Sequence, residues 1–92
     1  MKNATISIAT QEIDLPAGII AGKLRVIISG PVVQTQDIDN DSVVFENLIP
    51  GEYTVSVSRL DSNENILGAT VTTTFTVPEM YAEPITVSVT LA

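Results

Sequence analysis

Hydrophobic and polar residues alternate with a period of two along most of this chain. Ala4, Ile6 and Ile8 are separated by Thr5 and Ser7, the pattern of a strand with one dry and one wet face. Ile13 to Ala21 is irregular and carries Pro16 and Gly18, so it reads as a connection. Lys23 to Ser29 is a second strand, with Leu24, Val26 and Ile28 on one face; Ile27 breaks the polarity of the other and predicts cover on both sides. Gly30-Pro31 marks a turn, Val32 to Gln36 a short strand, and Asp37 to Asp41 a loop. Ser42 to Glu46 resumes a strand, with Val43 and Phe45 inward, before Leu48-Ile-Pro-Gly51 turns the chain.

A long hairpin is predicted next. Tyr53, Val55 and Val57 share one face, and Thr54, Ser56 and Ser58 the other. After the polar loop Asp61-Ser-Asn-Glu-Asn65, Val71, Thr73, Phe75 and Val77 alternate with Thr70, Thr72, Thr74 and Thr76. Pro78 ends that run, since proline cannot donate to a ladder. Ile85, Val87, Val89 and Leu91 against Thr86, Ser88 and Thr90 form a last strand. No helical periodicity appears. About seven short strands at this spacing predict one all-β domain, residues 1–92, folded as an antiparallel sandwich.

Composition narrows the chemistry. Ninety-two residues fit one domain, and a domain of that size buries only roughly 60–65 % of its unfolded surface. Charged residues are 16 % of the chain, and hydroxyl residues fill the deficit, as wet strand faces require. The formal charge of −7 opposes phosphate backbones and anionic lipid, so neither nucleic acid nor a membrane is an expected partner. Without cysteine or histidine the chain has no disulfide, no thiolate metal site and no imidazole base. A nucleophile would need serine with lysine, or a carboxylate pair, and neither has a recognisable setting. The expectation is a non-enzyme with no cofactor.

One stretch resembles known families. Phe45-Glu-Asn-Leu48-Ile-Pro50-Gly51-Glu-Tyr53-Thr-Val55-Ser-Val57 is similar to the entry into a late strand of fibronectin type III and related immunoglobulin-like sandwiches. It also resembles the corresponding segment of carboxypeptidase-regulatory-like and collagen-adhesin B-type domains. The resemblance implies an immunoglobulin-like sandwich in which Pro50 and Gly51 turn the chain. Tyr53 would then pack its ring in the core and return its hydroxyl to the upstream backbone. The chain departs from these families in lacking tryptophan and in having no asparagine from Ile85 to Ala92, so no cross-link is carried over.

The candidate sites are few. Asp37, Asp39 and Asp41 have the spacing that opens a calcium loop, but Ser42 and Leu48 stand where an EF-hand needs glycine and glutamate. A solvated acidic loop is the preferred reading. Asp61, Asn63 and Asn65 at the hairpin tip, and Tyr81 in Glu79-Met-Tyr-Ala-Glu83, are the candidate partner contacts. The hydroxyl faces offer a flat adhesive surface, or simply a wet one.

Free-standing sandwiches without export signals or disulfides resemble bacteriophage structural proteins, and MKNATISIATQEID has no apolar signal segment. The expected function is therefore a virion component, a capsid decoration or tail protein made in the host cytoplasm. Its partners would be other virion proteins or itself, with residues 1–10 and 78–92 lending strands to a neighbour. The alternative is an adhesin or carbohydrate-binding module of a larger secreted protein.

Overall fold

A computed structural model describes residues 2–10, 17–80 and 85–91. Its elements are β1 (Lys2–Thr10), β2 (Ala21–Ser29), β3 (Gln34–Ile38), β4 (Ser42–Leu48), β5 (Gly51–Asp61), β6 (Ile66–Val77) and β7 (Ile85–Leu91). All but β3 contain the alternation read above, and β-branched residues are frequent, as a half-buried pleated surface favours. The third strand runs later than its composition suggested. Asp37 and Ile38 belong to it, because Asp37 lies opposite Arg25 and Ile38 packs against the core, while Pro31 and Val32 lie in the bend before it.

The strands form two sheets, β4-β1-β7 and β3-β2-β5-β6. Neighbours run antiparallel except β1 and β7, which pair in parallel from Ala4 opposite Ile85 to Thr10 opposite Leu91. Thus β1 is the centre of its sheet and is paired on both sides, so it is not free to be lent to a neighbour. The order also differs from the ABED and CFG sheets of an immunoglobulin constant domain. There the first strand lies beside the second; here it lies between the fourth and the last.

The two sheets enclose one core. Ala4, Ile6 and Ile8 of β1, with Phe45, Leu48, Val87 and Val89 from its neighbours, face Val26, Ile28, Tyr53, Val55 and Val57 of the other sheet. Sheets packed face to face in this way bury the dry half of each alternation. Among the described residues no second layer covers Ile27. It lies half-buried on the outer face between Thr35 and Ser56.

The turn into β5 is fixed by four residues. Asn47 adopts a positive φ of 62° where β4 carries an extra residue relative to β1, a backbone state asparagine tolerates. Pro50 lies exposed in the turn that follows. Gly51 has φ 146°, and a side chain there would run into the Pro31 ring. Tyr53 is fully buried, stacks on Phe75 with ring centroids 5.3 Å apart, and donates its hydroxyl to the Ile49 carbonyl at 2.8 Å. That bond ties the turn to the core.

Replacing Tyr53 with Phe keeps the ring and removes only this bond. Because Ile49 is partly exposed, water can take over its carbonyl, so the expected loss is about 1 kcal/mol. Urea denaturation would show it as a lower midpoint with an unchanged slope; an unchanged midpoint would mean that the hydroxyl contributes nothing.

Candidate functional site

The polar hairpin tip is built around Asp61. Its carboxylate Oδ1 accepts the Asn63 and Asn65 amides, each at 2.8 Å, and its Oδ2 lies 3.4 Å from the Asn65 side-chain nitrogen. The Asp61 amide donates to the Asn65 carbonyl at 2.9 Å, and the Glu64 amide to the Asp61 carbonyl at 3.0 Å. Glu64 takes a φ of 67° to complete the turn. The Ser62 amide donates to the Ile20 carbonyl at 2.9 Å, anchoring the tip to the segment that leads into β2. Asp61 is therefore buried and spent on its own turn, an aspartate capping the backbone two and four residues on. Asn63 and Asn65 are exposed and can meet a partner; Tyr81 lies outside the described residues.

Close packing continues beneath the tip. A side chain at Gly22 would collide with the Asp61 backbone carbonyl, so glycine lets the start of β2 lie against the end of β5. Gly22, Lys23, Asp39 and Leu60 to Glu64 line an open hollow of about 510 Å³. A second hollow of about 330 Å³ shares Gly22 and Asp39 and is bordered by Thr10, Asp41 and Arg59. Among the described residues no hydrogen bond joins a serine of either hollow to a lysine or carboxylate, and Asp39, Asp41 and Glu64 face solvent.

The acidic loop is split by the fold. Asp37 forms a two-point ion pair with Arg25, Nε to Oδ1 at 2.9 Å and Nη2 to Oδ2 at 3.0 Å, across the β2–β3 ladder. The guanidinium holds the Asp37 carboxyl below its ordinary pKa, and the carboxylate raises that of Arg25. Asp39 and Asp41 remain exposed. Among the described residues no group of three or more Asp, Glu, His or Cys side chains could hold a metal ion.

The hydroxyl faces are assembled largely as the alternation indicates. Thr54 lies opposite Thr74 and Ser56 opposite Thr72 on the outer face of β5 and β6. Thr86, Ser88 and Thr90 are exposed on β7. Ser58 and Thr70 depart from the flat surface. The β5–β6 register shifts between Val57 and Arg59, Gly68 takes φ 73° in the extra length of β6, and Ser58 is buried with its hydroxyl 2.8 Å from that of Thr70. This irregularity has no signal in the alternation apart from Gly68.

Hydrogen bonds from Asn65 and Asn63 hold the Asp61 carboxyl below its ordinary pKa, against the opposing effect of burial. Its stabilising contribution is complete above the ordinary carboxylate value, about 3.9, and is lost as pH falls through the lowered one. Asp61→Asn keeps an acceptor for the turn and removes the titration. The acid limb of a stability–pH curve should then be shallower than in the wild type; an identical limb would mean that Asp61 titrates alike in the folded and unfolded chain.

In comparison with known proteins, the chain matches no family model, no curated protein and no solved structure.

Proposed function

We propose that this chain is a non-enzymatic structural and interaction protein, a component of a bacteriophage virion that docks within an assembly. The observation that carries the docking reading is that two of the four edge strands, β6 and β7, carry no charge. Ionisable side chains occur on each of β1 to β5, in the 37–41 segment and at the hairpin tip, while Ile66 to Val77 and Ile85 to Leu91 contain none. An edge strand without charge or proline is one that can accept a neighbour. Catalysis finds no support in a sequence without histidine or cysteine.

The virion setting rests on resemblance. Small β-sandwiches recur among phage structural proteins, and a cysteine-free chain is suited to assembly in a reducing cytoplasm. A small fold also gains apparent stability when a lattice binds its native state. Within the resemblance carried by Phe45 to Val57, the strand order weighs against an immunoglobulin constant topology. The carboxypeptidase-regulatory-like and collagen-adhesin B-type likenesses remain.

Peptide mass mapping of phage particles purified by density gradient from the chain's source tests this reading. The chain should be found in the particle band at a fixed ratio to the major shell protein. Finding it only in the secreted or cell-surface fraction would overturn the virion reading in favour of an adhesin module.

A further inference from the structure

The four edge strands are treated differently on the two sides of the sandwich. On the side of β3 and β4, Gln34 and Gln36 reach across from β3. Their side-chain amides donate to the Glu46 and Val44 carbonyls of β4 at 2.9 and 3.2 Å. Those glutamines occupy acceptors that an incoming strand would need. On the other side β6 and β7 run beside one another. There Arg59 Nη2 approaches the Leu91 carbonyl of β7 at 3.4 Å. β6 is the longest strand, at 12 residues. From Val71 to Val77 it is regular against β5, and no hydrogen bond from another described side chain reaches it.

This stretch is close to self-complementary. Val71-Thr-Thr-Thr74-Phe-Thr-Val77 reads the same from either end, except that Phe75 mirrors Thr73. An antiparallel strand related by a two-fold axis at Thr74 would set Val71 opposite Val77, Thr72 opposite Thr76 and Thr73 opposite Phe75. Thr–Thr and aromatic–β-branched pairs of this kind favour sheet pairing. The dry face gains as well, because Val71, Thr73 and Phe75 are only half-buried, whereas Tyr53, Val55 and Val57 on adjacent β5 are fully covered.

We propose that Val71–Val77 is a dimerisation edge that takes the same segment of a second copy of this chain, joining two four-stranded sheets into one of eight. The mirror symmetry of the segment and its open edge select that occupant. Each copy carries a formal charge of −7, and β6 offers a backbone free of ionisable side chains along which two such copies can meet. A two-fold contact uses the same surface on both copies and leaves neither β6 edge open, so association closes at two. The inference deepens the docking reading above by naming its surface and partner, and it does not depend on the virion setting.

Light scattering of the purified chain across protein and salt concentration tests it. The expected mass is twice 9.8 kDa, with the dimer fraction rising as salt screens the repulsion between like-charged copies. Thr74→Lys and Thr74→Glu each place like charges opposite one another at the axis and should raise the dissociation constant about tenfold or more. An equimolar mixture of the two variants should restore the dimer, a result that damage to the fold would not give.

Amide exchange on the wild type gives a readout without substitution: amides between 71 and 77 should lose protection on dilution, with β1 unaffected. A mass of 9.8 kDa under all conditions, a trimer, or variants that dimerise like the wild type would overturn the proposal. So would exchange between 71 and 77 that ignores concentration. A dimer missing from particles would overturn the virion setting alone.

Discussion

The parallel pairing of β1 with β7 is the constraint on which the rest of the structure depends. β1 is the only strand that touches both β4 and β7 in its sheet, so without it neither has a ladder partner there. It also supplies Ala4, Ile6 and Ile8 to the middle of the core, where the first two are fully buried. The β5–β6 hairpin forms between neighbours in sequence, but the three-stranded sheet joins segments more than 75 residues apart. Loop closure over that distance is entropically costly and is recovered only when the second face of the core arrives. With no disulfide to hold the ends, burial and ladder bonds must supply the whole return.

Much of this was legible in the sequence, for a physical reason. A strand's side chains alternate with a period of two, so a half-buried strand writes its burial directly into the order of its residues. Tyr53, Val55 and Val57 lie inside, and Thr54, Thr72 and Thr74 outside, as their alternation indicates. Pairing is a different matter. Nothing local says that β1 meets β7 in parallel or that β4 meets β1, because partner choice depends on which dry faces fit across the whole core. The third strand was displaced for a related reason: Asp37 and Ile38 look like loop residues until Arg25 and the core supply their partners across the ladder.

The polar tip shows the limit from the other side. Composition marks Asp61, Asn63 and Asn65 alike as turn-forming and exposed, yet the fold divides them. Asp61 turns inward to accept three donors, and the two asparagines keep the surface. Acceptor geometry decides that division, and residue type does not encode it. Gln34 and Gln36 are a second case, since their value lies in two carbonyls on a strand of the opposite sheet. Hydrophobic patterning carries no trace of such bonds.

The direction of the β1–β7 pair has a mechanical consequence. Since the two strands run parallel, the start of β1 and the end of β7 lie at opposite ends of the sandwich. A tensile load applied between them would pull these neighbours past each other along their length. The ladder bonds would then be loaded together, in shear, where antiparallel terminal strands with adjacent ends would unzip one bond at a time.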